Sequence, residues 1–277
     1  MGGLVDRVRG LVVASAGTGS AGALFNPAVR AFLAHEAGER RVEACALFNV
    51  FYQTGILCGP LLGLARTGID FRLTCAVAAG VFAVLSVLQL RALPQRRSGD
   101  TADPRASSVV TQWRSVLANR SFVLFSIAMI GSYVLAFQVY LALPLEVRRL
   151  AGSGVAGTVG VASLFAVSGL LAIAGQMRIT AWCRSRWGPG RCLVVGLGLM
   201  AASFLPPLVT ATAATGSRAL PTAVLLAPLV FSAALLALGT IVVFPFEMDT
   251  IVALSDNRLV ATHYVLSNPA LGTVIML

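Results

Sequence analysis

The sequence predicts an all-α, polytopic membrane protein with about eight transmembrane helices. Of its 277 residues, 57% are hydrophobic and 12% are charged, whereas soluble domains carry about 25% charged residues. A soluble chain of this size could not bury so much apolar surface, and the same composition excludes intrinsic disorder. The five cysteines show no C-x-x-C spacing, so neither a disulfide scaffold nor a metal site is predicted.

Eight stretches reach the length of about 20 mostly apolar residues that a transmembrane helix needs. Their length and their glycine and proline content favour helices over barrel strands, which would alternate over about 10 residues. The predicted spans are roughly 11–33, 43–65, 72–93, 122–143, 156–177, 191–210, 220–244 and 259–277.

The arginines predict the orientation of these spans. All 21 basic residues are arginine, and the net charge is +10. If the loops 34–42, 94–121, 178–191 and 245–258 face the cytoplasm, they hold 13 arginines, with Arg91 at the edge of the preceding span included, and the opposite side holds 7. The positive-inside rule favours this arrangement. The arginines lie in short clusters between apolar runs, so we expect the lipid bilayer, and no nucleic acid, as a partner.

The longest polar stretch, 94–121, contains Pro94, Gly99 and Pro104 and is typical of a flexible linker. It divides the chain into a first bundle of three spans, 1–93, and a second bundle of five spans, 122–277. In the predicted orientation the first span begins outside the cell, so Arg7 and Arg9, which precede it, lie on the side that the positive-inside rule disfavours. We therefore expect further helices upstream of it.

The segment Gly55-Ile-Leu-Cys-Gly59-Pro60-Leu-Leu-Gly63 resembles the G-x-x-x-G-P-x-x-G motif of the fifth helix in antiporters of the major facilitator superfamily. Further segments resemble the fourth, sixth and seventh helices, and the loop between helices eight and nine, of its drug:proton antiporter branch and of MdtH-like multidrug-efflux transporters. These segments are 23–30, 70–75, 137–144 and 182–191.

The resemblance implies that the spans are equivalents of helices 4–11, with helices 1–3 and 12 absent. It implies proton-coupled export of small lipophilic compounds by a monomer in the cell (plasma or inner) membrane, with the proton gradient as the energy source and no cofactor. Enzymatic activity is not predicted, because no catalytic constellation is present. The basic residue that the family places before the glycine of helix four falls near Ser15, so that motif is not met. The alternatives are a truncated, non-transporting remnant and a carrier of another small solute.

The motif of the fifth-helix equivalent has two interpretations. Gly55, Gly59 and Gly63 recur every four residues on one helix face, a spacing that lets helices approach closely. Pro60 frees a backbone carbonyl and bends the helix. A pliable helix that seals the outward side between the bundles is one interpretation, and ordinary helix packing is the other.

Four residues of the seventh-helix equivalent are candidates for the substrate cavity. Tyr133, Phe137 and Tyr140 follow an i, i+4, i+7 spacing and so share one helix face. This aromatic stripe is either core packing or a surface suited to flat lipophilic cations. Gln138 lies one residue off the stripe.

Four polar residues of the first bundle complete the candidate cavity. Asn26 and Arg30 belong to the fourth-helix equivalent. Arg30 either faces a cavity or partner, as ionisable groups in membrane helices usually do, or extends to the cytoplasmic interface. Asn49 and Gln53 lie one turn apart and can offer hydrogen bonds to a ligand or to helix eight.

Three residues are candidates for proton transfer or gating. Glu247 and Asp249 are predicted at the inner end of the tenth-helix equivalent. A carboxyl group near the membrane can carry a proton, because desolvation disfavours its charged form. The alternative is an ion pair, with Arg258 or an arginine of another loop, that locks the cytoplasmic side. His263, early in the last span, is more typical of a hydrogen-bonded helix residue than of a proton relay.

Overall fold

The computed structural model describes residues 28–30, 32–33, 36–65, 71–92, 117–208 and 221–254. These residues include seven longer helices and two short 3-10 turns, Gly38–Arg40 and Phe137–Val139; further helical turns lie at 28–30 and 205–208, and none of the described residues lies in a strand. The all-α prediction is therefore confirmed. The helices are α1 (Arg41–Ala65), α2 (Phe71–Ala92), α3 (Arg120–Ala136), α4 (Ala142–Ala151), α5 (Val155–Arg186), α6 (Pro189–Ala202) and α7 (Thr222–Leu254).

Helical stretches of membrane-spanning length and hydropathy coincide with the predicted spans. Within the described part of the chain there are four of them: Arg120–Ala151, Val155–Arg186, Pro189–Leu208 and Val224–Leu254. In addition, α1 and α2 coincide with the predicted spans 43–65 and 72–93. Most of the span 11–33 and all of the span 259–277 lie outside the described residues.

Two predicted cytoplasmic loops are wrong over most of their length. The loop 178–191 shrinks to Trp187 and Gly188, because α5 continues to Arg186. The loop 245–258 is helical as far as Leu254. The apolar runs that predict these spans end where charged residues begin, whereas packing against other helices continues beyond that point. Thr180 on α5 and Ile251 on α7 are buried and keep these turns helical beyond the apolar runs.

The predicted span 122–143 is interrupted instead of continuous. α3 ends at Ala136, a 3-10 turn follows, and α4 carries the chain on to Ala151. Pro144 lies in the first turn of α4, where its missing N–H costs little. Gly152, with φ of 72°, ends α4 in the left-handed region that glycine adopts most readily. The N-terminus of α3 is capped by Asn119, whose side chain accepts a hydrogen bond from the N–H of Phe122 at 3.2 Å.

Helix α7 is the centre of the packing. It contacts α5, α6 and α1, and α1 in turn packs against α5. The apolar core between these helices includes Leu164, Leu193, Met200, Leu229 and Val243. α1 precedes the predicted linker 94–121, and α5 and α7 follow it, so the proposed division into two bundles places their contact here. That division stays a prediction.

Two glycines bring α6 and α7 close together. A methyl group added at Gly239 would lie 2.9 Å from the carbonyl oxygen of Gly196 and 3.0 Å from the backbone nitrogen of Met200. Both neighbours are backbone atoms, so they cannot rotate away. The contact therefore requires glycine at position 239.

We expect Gly239→Ala to lower the free energy of unfolding by about 1–3 kcal/mol, the usual cost of overpacking a core. Gly198→Ala on α6 is the matched control, because a methyl group there would meet no described atom within 4 Å. Alanine favours the helix, so this control should leave stability unchanged or slightly higher. Thermal unfolding in detergent measures both, and equal stability of the two variants would contradict the close-contact explanation.

Candidate functional site

A cavity of about 400 Å³ lies between α1, α3, α5 and α7, beside the helical turn that carries Arg30. Its wall is mostly apolar and contains seven aromatic residues, and Arg30 is the one charged side chain among the described lining residues. The aromatic lining consists of Phe48, Tyr52, Tyr133, Phe137, Tyr140, Phe165 and Phe244.

The predicted aromatic stripe faces this cavity. Tyr133 stacks on Phe244 of α7 with ring centres 5.1 Å apart, and Tyr140 stacks on Phe165 of α5 at 5.7 Å. Phe137 lies between them along the chain and is 55% exposed. α3 ends before Phe137, but the following 3-10 turn keeps Phe137 and Tyr140 on the cavity side.

Gln138 lies outside the cavity. Its Nε2 donates a hydrogen bond to the carbonyl of Val134 at 3.0 Å, so its amide is used within its own stretch of chain. The one-residue offset from the aromatic stripe explains this, since a single residue turns a helical side chain by about 100°.

The polar residues of α1 line the same cavity. Asn49 and Gln53 both face it, and the Nδ2 of Asn49 donates to the Oε1 of Gln176 on α5 at 2.7 Å. Asn49 thus makes the predicted contact with helix eight while it lines the cavity. The motifs of the sequence did not lead to Gln176, although a glutamine within an apolar span is itself a signal of a buried partner.

Arg30 lines the cavity and lies against Tyr133 of α3. Its Nη1 donates to the hydroxyl of Tyr133 at 2.8 Å, and the guanidinium carbon lies 5.9 Å from the centre of that ring. Arg30 therefore faces the cavity and a partner, which is one of its two predicted placements.

Glu247 is placed differently from the prediction. It is not at a helix end but within α7, with none of its surface exposed. Arg30 and Tyr133 lie near enough to act on its carboxyl group, yet neither of its oxygens makes a well-formed hydrogen bond with a described residue. Glu247 is hidden because α7 continues past Pro245 and turns this side chain inward, behind the cavity wall.

Ion pairs join α1 to the C-terminal ends of α5 and α7. Asp249 Oδ1 lies 3.8 Å from Nε of Arg41, which belongs to the predicted cytoplasmic loop 34–42. Glu43 accepts from Arg184 at 3.0 Å and from Arg40 at 2.8 Å. The predicted orientation puts all these groups on the cytoplasmic side. Arg258, the other partner considered for these acids, lies outside the described residues.

The remaining sequence candidates are either untested or not described. α1 is helical through Gly55, Gly59, Pro60 and Gly63. A methyl group added at Gly55 would meet no described atom within 4 Å, so Gly55 makes no close contact with another described helix. The outward seal stays a prediction. Asn26 and His263 lie outside the described residues.

Comparison with known proteins identifies relatives along most of the chain. A sequence model of the Major Facilitator Superfamily matches residues 2–275. An uncharacterized MFS-type transporter of Mycobacterium tuberculosis is 49% identical over 276 residues, which cover 96% of this chain and 62% of that protein. The multidrug resistance protein MdtH of Salmonella typhi is 30% identical over 190 residues, 68% of this chain and 45% of MdtH. The chain thus spans less than two thirds of either relative. No solved structure matches.

The ion pair between Glu43 and Arg184 is expected to stabilise the fold only slightly. Both side chains are partly exposed, so a double-mutant cycle with Glu43→Gln and Arg184→Gln should give a coupling of about 0–1 kcal/mol. The coupling should weaken in high salt. Arg178→Gln, on the same helix, replaces Arg184→Gln in the control cycle and should show no coupling to Glu43. Coupling well above this range would show that the pair is more deeply desolvated than the structure indicates.

Proposed function

This chain belongs to the major facilitator superfamily, and on that premise we propose that it acts in secondary active transport, exporting small lipophilic compounds in exchange for protons. Its family and its apolar helices make it a membrane protein. The observation that carries the proposal is the aromatic cavity between α1 and the helices of the second bundle. Such a cavity, at the contact between two bundles, is where transporters of alternating access bind their substrates.

The chemistry of the cavity supports a lipophilic substrate. Its volume of about 400 Å³ lies within the range of small-molecule sites, about 300–1,000 Å³. Flat aromatic walls offer dispersion and ring-stacking contacts to many shapes of apolar molecule. Asn49, Gln53 and Thr240 add a few hydrogen-bonding groups to the wall. The relative MdtH carries the name of a multidrug resistance protein, which agrees with a tolerant, apolar site.

The surroundings of Glu247 support coupling to protons. A buried carboxylate is costly unless a cation or a proton compensates it. Arg30 is the nearby cation, and it also lines the cavity. A proton on Glu247 would leave the charge of Arg30 directed at the cavity and at Tyr133. The charge state of Glu247 and the contents of the cavity are therefore linked through one side chain.

The ion pairs at the cytoplasmic ends of α1, α5 and α7 would close the cavity toward the cytoplasm. The pairs Arg41–Asp249 and Arg184–Glu43 join elements on the two sides of the predicted linker. Rocking of the bundles would have to break these pairs to open the cavity toward the cytoplasm. We place the protein in the inner membrane, as a monomer that uses the proton gradient and no cofactor.

Replacing Glu247 by glutamine should abolish proton-driven efflux. Glutamine keeps the shape of the side chain but cannot release a proton, so we expect efflux of a lipophilic dye from energised vesicles to fall at least about tenfold, with dye binding retained. Glu146→Gln is the control, since Glu146 lies on α4, pairs with Arg149 and does not line the cavity. Undiminished efflux in Glu247→Gln would remove Glu247 from the coupling mechanism.

Replacing Phe137 by alanine should weaken substrate binding. A stacked aromatic contributes about 0.5–1.5 kcal/mol beyond its buried area, so we expect the Kd for an uncharged lipophilic dye to rise about threefold to tenfold. Phe231→Ala is the matched control, because Phe231 on α7 is 57% exposed against 55% for Phe137 and does not line the cavity. Equal Kd values for the two variants would place the binding site elsewhere.

A further inference from the structure

Gln176 connects three helices through one buried amide. It lies on α5 with none of its surface exposed. Its Oε1 accepts the hydrogen bond from Asn49 of α1 at 2.7 Å. Its Nε2 donates to the backbone carbonyl of Ile241 on α7 at 3.0 Å and to the hydroxyl of Thr180 at 3.1 Å. Both ends of the amide are thus engaged.

The carbonyl of Ile241 is available because of a proline one turn further along α7. In a regular helix this carbonyl would accept from the N–H of residue 245. Residue 245 is proline, which has no N–H to donate. The Nε2 of Gln176 takes the place of the missing donor. A side chain of α5 therefore completes the hydrogen bonding of α7 at the turn where its ladder is broken.

The turn around Pro245 carries residues of the candidate site. Phe244, which stacks on Tyr133, comes directly before Pro245, and Glu247 follows two residues later. A helix missing a backbone bond bends more easily at that point. A change in the shape of this turn would shift Phe244 and Glu247 relative to Tyr133.

Asn49 links the same amide to the contact between α1 and α7. It lies one helical turn after Cys45, which is 2% exposed and packs against Met248, Ile251 and Val252 of α7. Withdrawal of α1 from α5 would therefore remove the donor to Gln176 and uncover Cys45 together. A buried Oε1 without a donor is costly, so the amide of Gln176 would reorient and release Ile241.

We propose that Gln176 is a positioning residue that couples the docking of α1 to the shape of the Pro245 turn in α7. While α1 is docked, Asn49 holds the amide of Gln176 and the amide holds the free carbonyl of Ile241. When α1 separates, this carbonyl loses its donor and the turn that carries Phe244 and Glu247 relaxes. This inference goes beyond the proposed function, because it concerns how movement is transmitted and does not depend on the identity of the substrate.

The test is a mutant cycle between Gln176 and Pro245, read out by alkylation of Cys45. Gln176→Leu removes the amide, and Pro245→Ala restores a backbone N–H to the carbonyl of Ile241. Maleimide labelling of the purified chain in lipid nanodiscs, resolved by mass spectrometry of the Cys45 peptide, measures how often α1 leaves α7. Pro228→Ala is the matched control, since Pro228 is the other proline inside α7 and its substitution supplies no donor to Ile241.

We expect Gln176→Leu to speed the labelling of Cys45 about threefold to tenfold, which corresponds to an interhelical hydrogen bond in a membrane. In the Pro245→Ala background the same substitution should speed it less than in the parent, because Ile241 no longer needs the amide. In the Pro228→Ala background, Gln176→Leu should speed the labelling of Cys45 as much as it does in the parent. Equal effects of Gln176→Leu in all three backgrounds would overturn the coupling and leave Gln176 as a packing residue.

A second variant protects the test against misfolding. Gln176→Met keeps the length of the side chain and is uncharged, but it has no donor for Ile241. Its thermal unfolding midpoint should fall in the parent and recover at least half of the loss in the Pro245→Ala background. No recovery would contradict the proposal even if Gln176→Leu fails to fold. Neither measurement requires transport, so failure of the export proposal would not affect the result.

Discussion

Polar groups inside this molecule must be satisfied by other groups of the protein, because the bilayer around it offers no hydrogen bonds. This constraint determines which helices meet. Asn49 and Gln176 bring α1 to α5, and Gln176 brings both to the open carbonyl of α7. Arg30 is held by Tyr133 of α3. The cavity is the space left between helices that these bonds hold at fixed distances.

Helix α7 combines two roles that are usually separate. It forms the centre of the core, with Leu229, Ile241 and Val243 fully buried, and it also carries Glu247 next to the cavity. The glycine contact holds α7 against α6 at Gly239, while the turn at Pro245 lacks a backbone bond and depends on α5. One helix therefore combines a tightly packed part around Gly239 with a more deformable turn around Pro245.

The cavity and the ion pairs at the ends of α1, α5 and α7 rely on different forces. The cavity wall is mostly apolar and offers contact area, whereas the pairs are partly exposed and individually weak. Weak pairs would suit the opening and closing that the proposed transport requires, since a strong pair would favour a single state.

The sequence alone determined the class of the molecule and much of its candidate site. Apolar runs of the right length predict membrane helices, since a spanning segment has few other solutions. The resemblance of 137–144 to the seventh helix and the i, i+4, i+7 stripe point to Tyr133, Phe137 and Tyr140, because local spacing decides which side chains share a face.

Only the tertiary structure decided the partners of the polar residues and the ends of the helices. Hydropathy put Glu247 at the inner end of a span, but packing of Phe246, Ile251 and Val252 continues α7 and hides the carboxyl group. The role of Gln176 depends on Asn49, 127 residues away in the chain, and on a carbonyl freed by a proline in a third helix. Hydrogen bonds across such separations follow from how helices dock, and the helical period of a sequence carries no information about the neighbour that a face will meet.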